Sequence, residues 1–263
     1  MFPNMSKGPK FSIFTPVHVW NQSRKDQLFR CIKSVKNQTY KNYEHIIIND
    51  GSTLEVEIPK DDKTIVINKT HEERIIAFNE GFKIATGDWF VLLDSDDEYT
   101  PNYLEKCVSF IEANPEYKMF NFGCKFIHKD GGTATRDPFE PKPCEVGHEI
   151  FGGGNIVNGT FIWSKDVYDD LGGFPPSGTE IDVPWYRKGP LFMGSPYDFS
   201  AYAQNEFPEI QQFFQVKHPD HPKGLPKELG NPWGQDYYLF YKYTRKYHSK
   251  PIFNEHLYIV HPR

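Results

Sequence analysis

Apolar and polar positions follow two alternating periods along the first 115 residues. The runs 11–17 (FSIFTPV), 43–48 (YEHIII), 63–68 (KTIVIN) and 88–93 (DWFVLL) are short and rich in β-branched or aromatic residues, which predicts strands. Between them, residues 24–37 carry Leu28, Ile32 and Val35 at helical spacing. Residues 72–86 do the same with Ile75, Ile76, Phe82 and Ala85, and stop at Gly87; residues 101–114 do so with Leu104, Val108 and Ile111. Asn49-Asp50-Gly51-Ser52 closes the second strand as a turn. Strands alternating with helices predict an α/β fold with a mostly parallel central sheet flanked by helices. Ligands of such sheets bind outside the carboxyl ends of the strands. Thr15, Asn49, Asp50, Asp94 and Asp96 all follow their strands on that edge.

The second half reads differently. Residues 118–128 and 156–163 predict strands, separated by a stretch with Gly131-Gly132 and Gly152-Gly153-Gly154. Ser164 caps a short helix that ends at Gly172-Gly173. A long aromatic- and proline-rich segment with little periodicity runs from Phe174 to Gly234, as binding loops and lids do. Residues 235–247 predict a last helix, and 252–260 a final strand before His261-Pro262-Arg263. Trp185, Tyr186, Tyr197, Tyr202 and Trp233 suit stacking on sugars or bases, and equally suit packing the segment onto its domain.

Composition narrows the function classes. The net charge is −5 and the basic residues are scattered, so no footprint for duplex nucleic acid is evident. Cys31, Cys107, Cys124 and Cys144 form no CxxC pair and read as reduced, buried thiols of an intracellular protein. No signal-type or 18-residue apolar stretch occurs, so a soluble, cytoplasmic protein is expected. There is no GxxxxGK[ST] loop, which argues against a P-loop kinase or ATPase. The loop after the first strand, Thr-Pro-Val-His-Val-Trp, lacks the glycines and basic residues that a pyrophosphorylase needs for a triphosphate.

The chemistry concentrates at Asp94-Ser95-Asp96-Asp97, where an apolar strand runs straight into three carboxylates. Packed carboxylates repel one another and call for a counter-charge. A hard divalent cation, Mn²⁺ or Mg²⁺, with open positions suits a diphosphate. The same run also reads as a solvated acidic turn ahead of a helix at Thr100-Pro101. His261 is a candidate further metal ligand, with His256, His248, His218 and His221 as alternatives.

Six stretches in series resemble family 2 of the nucleotide-sugar-dependent glycosyltransferases, which have the GT-A fold. They are Thr15-Pro16; Ser34-Val35 with Asn37-Gln38-Thr39-Tyr40; Asn49-Asp50-Gly51-Ser52; Asn79-Glu80-Gly81 with Ala85-Thr86-Gly87; Leu93-Asp94-Ser95-Asp96-Asp97; and Gly172-Gly173-Phe174. The resemblance implies a single GT-A domain over residues 1–263. Its nucleotide-sugar-binding half would be 11–115, and its acceptor and catalytic-base half 116–263. It implies an inverting transfer from a nucleotide diphosphate donor, a UDP-sugar foremost, to an acceptor hydroxyl. Asp96 would contact the metal and Asp94 would sit nearer the ribose. Thr15 and Asp50 would line the base pocket, and Asn79 would face the nucleotide from its helix, unless it is a packing residue. Pro16, Asn49 and Ser95 fall within the same donor-binding motifs.

Asp236 is the candidate base, at the opening of the last helix, where an acid also stabilises the helix dipole. Glu180 and Asp182 compete with it. Asn49, Phe78 and Gln235 depart from the family pattern. They leave open a catalytically inactive sugar-nucleotide-binding or scaffold module. The acceptor is open among glycan, lipid-linked sugar, protein and modified nucleobase.

Overall fold

The structure is a computed structural model that describes residues 8–59, 61–71, 74–138, 158–174, 180–181, 189–190, 243 and 246–262. The chain divides into two compact units. One comprises Met1–Pro141, Ile156–Gly173 and Tyr243–Arg263; the other comprises Lys142–Asn155 and Phe174–Lys242.

The first unit opens with β1 (Phe11–Val17), α1 (Gln22–Lys36), β2 (Tyr43–Asp50), β3 (Thr64–Lys69), α2 (Arg74–Ile84) and β4 (Trp89–Leu92). These four strands pair side by side in the order β3-β2-β1-β4, all parallel, as the strand–helix alternation requires. Pro16 falls beyond Phe14↔Leu92, the last pair between β1 and β4, where a missing N–H is harmless.

Beyond β4 the sheet is mixed. The chain continues through β5 (Glu98–Tyr99), α3 (Tyr103–Ala113), β6 (Met119–Ile127) and β7 (Thr133–Arg136). A 3₁₀ turn, Asn158–Thr160, then leads into β8 (Phe161–Ser164) and α4 (Lys165–Leu171). β8 lies antiparallel between β4 and β6. The last long strand, Lys250–Val260, lies parallel to β6 and antiparallel to β5. Two short elements, β5 and the exposed hairpin partner β7, were not expected from the pattern. Two residues carry no period, and Thr-Ala-Thr-Arg carries no apolar face. Among the described residues the second unit contributes β9 (Glu180–Ile181) and β10 (Gly189–Pro190), a short antiparallel pair; the last long strand is therefore β11. Of the expected helix at 235–247, Tyr243, Lys246 and Tyr247 are described and helical; its remaining positions lie outside the described residues.

Alternation along the central strands divides the core into two faces. Phe11, Ile13, Trp89, Val91 and Leu93 pack with Cys31 and Val35 of α1 and with Tyr103, Leu104 and Cys107 of α3. On the opposite face Phe14 and Phe90 meet Phe82 of α2, and Phe82 and Phe90 also meet Tyr168 of α4. Burying a large apolar side chain contributes roughly 1.5–3 kcal/mol, so these aromatic layers are the main support of the strand ends. Ile75 and Ile76, expected on the core face of α2, lie outside the described side chains.

Candidate active site

The site is built at the carboxyl ends of β1, β2 and β4. The Leu93 N–H still donates to Phe14 O at 2.9 Å, and the chain then turns, with Asp97 N–H donating to Asp94 O at 3.0 Å. The turn brings carboxylate oxygens of Asp94, Asp96 and Asp97 within 4.8 Å of one another. Asp96 and Asp97 are buried. Burial, and then the negative charge of Asp94, push the Asp97 carboxyl up to about 7. Three hard oxygen donors in so small a space fit a hard divalent cation, which would offset their repulsion.

Asp97 is the anchor of this turn. The buried Tyr258 hydroxyl of β11 donates to Asp97 Oδ2 at 2.9 Å and accepts from Asp94 N–H at 3.1 Å. The His261 N–H donates to Asp97 Oδ1 at 3.0 Å. The Tyr258 ring reaches this position across Gly159, where any Cβ would fall 1.7 Å from Tyr258 Cε2. The His261 ring goes elsewhere: its Nε2 lies 2.8 Å from Glu98 Oε1 rather than among the three carboxylates. Burial, and then the positive charge of Arg30, lower the proton affinity of that imidazole.

Two arginines of α1 close the other side. Arg24 Nη1 donates to Asp96 Oδ2 at 2.9 Å. Arg30 Nη2 donates to the Asp96 carbonyl at 2.7 Å, and its Nε lies 2.9 Å from Glu98 Oε1. The end of this helix and the turn after it fix the segment beyond the acids. Gln38 Nε2 donates to Ser34 O and Thr100 O, and Leu104 N–H donates to Gln38 Oε1. Ser34 Oγ accepts from Tyr99 N–H.

Asp50, at the end of β2, is buried, with Lys69 Nζ at 3.2 Å and His71 Nδ1 at 2.9 Å from its carboxylate. His18 Nδ1 lies 2.8 Å from the Asp50 carbonyl, and the two imidazoles are 4.2 Å apart, centre to centre. Asn49 serves the turn: its Oδ1 accepts from Ser52 N–H and Oγ, and its Nδ2 donates to Asn68 Oδ1. Gly51 holds φ +62°, a conformation that favours glycine. The side chain of Thr15 is wholly buried, its hydroxyl hydrogen-bonded to His45 Nε2 at 2.9 Å. Pro16 lies buried in β1, and Ser95 lies half-buried in the acidic turn. The Asn79 amide oxygen is turned toward Gly173, where a Cβ would fall 2.3 Å from it.

The structure therefore brings Asp94, Ser95, Asp96 and Asp97 together and sets Asp50 on the same sheet edge. His256 Nε2 lies 3.3 Å from Asp137 Oδ1, and His248 is exposed. Asp236, Asp182, His218, His221, Cys144, Gln235 and the aromatic residues Trp185, Tyr186, Tyr197, Tyr202 and Trp233 lie outside the described residues, as does the Glu180 side chain. Cys31, Cys107 and Cys124 are free and buried. Among the described residues no helix is long and apolar enough to cross a membrane. Sequence reasoning missed Arg24, Arg30, His71, Glu98 and Tyr258, none of which stands in a local motif. Lys69 alone carried a signal, as a polar residue directly after a strand on the ligand edge.

Residues 12–146 match the family described as Glycosyl transferase family 2. EpsE of Bacillus subtilis (strain 168), whose glycosyltransferase designation is provisional, is 30% identical over 179 residues, covering 65% of this chain and 62% of EpsE. WfaP of Escherichia coli, named UDP-Glc:alpha-D-GlcNAc-diphosphoundecaprenol beta-1,3-glucosyltransferase, is 32% identical over 118 residues, covering 40% of this chain and 43% of WfaP. In fold, the crystal structure of S. aureus TarS 1–349 aligns with a TM-score of 0.57 at 14% identity, over 96% of this chain and 60% of that one. The fold is of the GT-A type, and the chain belongs to glycosyl transferase family 2. It spans less than two thirds of the length of each of these three relatives.

Proposed function

We propose that this chain is a metal-dependent, inverting glycosyltransferase that moves a sugar from a UDP-linked donor to an acceptor hydroxyl. The observation that carries the reading is the acidic triad at the end of β4, on the same edge as the paired Asp50 at the end of β2. Asp96 would hold Mn²⁺ or Mg²⁺, with Asp94 beside it toward the nucleotide and Asp97 fixing the turn that presents them. When bound, the ion would stabilise charge on the departing diphosphate. Asp50, its carboxylate oriented by Lys69 and His71, would accept an N–H of the base. The acceptor oxygen bonds to the anomeric carbon as the bond from that carbon to the diphosphate oxygen breaks. The electron pair leaves with the phosphate, and the acceptor proton passes to the carboxylate of Asp236.

Support for UDP comes from WfaP, whose name specifies UDP-Glc, and from TarS, which has been crystallised with UDP and with UDP-GlcNAc. The WfaP name also specifies a lipid-linked diphosphate sugar as acceptor, which puts that class first among those to try.

A thermal-shift screen of nucleotide sugars with and without Mn²⁺ tests the donor reading, because a ligand of the native state raises apparent stability. A UDP-sugar should raise the melting temperature only with Mn²⁺, and not in Asp96→Asn. No shift with any nucleotide sugar would overturn it. Asp236→Asn should abolish transfer and leave donor binding intact; a fully active variant would remove Asp236 from the mechanism.

A further inference from the structure

We infer that Arg24 is a built-in counter-cation of the acidic triad, which gives up Asp96 when a divalent cation takes the site. The inference rests on the metal-dependent reading above and adds a residue to it.

The position of Arg24 begins with its backbone. It stands in the first turn of α1, where its N–H donates to the N-cap oxygen of Asn21 at 2.9 Å. The start of the helix therefore holds the base of the side chain in place. Its far end has three partners. Nη1 donates to Asp96 Oδ2 at 2.9 Å and to Gln27 Oε1 at 3.2 Å, and the guanidinium carbon lies 4.6 Å from the centre of the Trp20 ring. Trp20 is 50% exposed, so this end of the arrangement lies at the rim.

An ion on Asp96 Oδ2 would sit at about 2.1 Å from it, and so no more than about 5 Å from Nη1. A guanidinium and a divalent cation at that distance repel strongly, even in a partly solvated site. Both bind the same buried carboxylate, so they compete for it. Arg30 is not in this position. It holds the Asp96 carbonyl and Glu98, contacts to the backbone and to a neighbouring acid rather than to the Asp96 carboxylate. On leaving Asp96, Arg24 keeps Gln27 and Trp20 as partners and stays at the rim. There, the oxygens of a diphosphate are a natural match for its planar donor fork.

Calorimetric titration of the full chain with Mn²⁺ alone tests this. Arg24→Gln should bind Mn²⁺ about tenfold more tightly than the wild type, and Asp96→Asn should not bind it. Equal or weaker binding by Arg24→Gln, with Asp96→Asn still inactive in binding, would overturn this inference alone. Failure of the wild type to bind Mn²⁺ would overturn the metal reading and the inference together. A second measurement needs no Arg24 variant. Mg²⁺ should change the tryptophan emission of the wild type as the guanidinium moves over Trp20, and Trp20→Phe should lose that change. Emission that stays constant while Mg²⁺ binds would also overturn the inference.

Discussion

The Tyr258 hydroxyl and the Asp97 carboxylate meet at 2.9 Å across 161 positions of the chain. Through this bond the last strand of the sheet holds the turn that carries the acidic triad. Tyr258 accepts from the Asp94 N–H with the same oxygen, so one buried hydroxyl orients two of the three acids.

Tyr258→Phe keeps the ring in its slot against Gly159 and removes that oxygen. A buried hydrogen bond to a charged group contributes about 1.5–3 kcal/mol, and the variant should lose a comparable amount of stability. Urea denaturation checks the loss. On the proposed function, the same variant should bind Mn²⁺ more weakly, because Asp94 and Asp97 lose their shared support.

Gln38→Leu probes the clamp between α1 and the segment beyond the acids. The substitution keeps the volume and leaves the Thr100 carbonyl and the Leu104 N–H without their side-chain partner. The Thr100 carbonyl keeps the Tyr103 N–H, whereas the buried Leu104 N–H is left unsatisfied at a cost of about 1–3 kcal/mol, so a loss of that size is expected in denaturant melts. A loss under about 0.5 kcal/mol, the range of an ordinary surface change, would show that the clamp carries little.

His45 sets a pH dependence. Burial lowers its proton affinity from 6.5 to about 3. Between these values the unfolded chain holds the proton and the fold does not, so stability rises with pH. The contribution is complete above pH 6.5 and falls by about 1.4 kcal/mol per unit as pH drops toward 3. His45→Gln retains a polar partner for Thr15 and should flatten the acid limb of the stability curve relative to the wild type. Melts of both proteins between pH 7 and pH 4 check the difference.

Much of the fold was legible in the pattern. The runs at 11–17, 43–48, 63–68 and 88–93 are the four parallel strands to within a residue or two; β1, β2 and β4 are buried on both faces and so read as largely apolar, while β3 is a partly exposed edge strand marked by its β-branched residues. The acidic run was legible as chemistry because its residues are neighbours in sequence. Asp97 was not legible as an anchor, since Tyr258 and His261 lie at the other end of the chain. Thr15 shows the opposite case. Its place in the first strand put it on the ligand edge, and strand alternation turns its hydroxyl inward to His45, on the same side as Cys31 of α1.

The sequence by itself determined the first four strands and the helices between and after them, that those strands run parallel, and that carboxylates stand where a ligand would bind. These are consequences of local period and of the rule that parallel strands present their carboxyl ends on one edge. Only the tertiary structure decided how those carboxylates are held. Arg24 and Arg30 of α1 reach Asp96, and Tyr258 and His261 reach Asp97. Such partners are chosen by packing across distant elements, and no spacing along the chain encodes them.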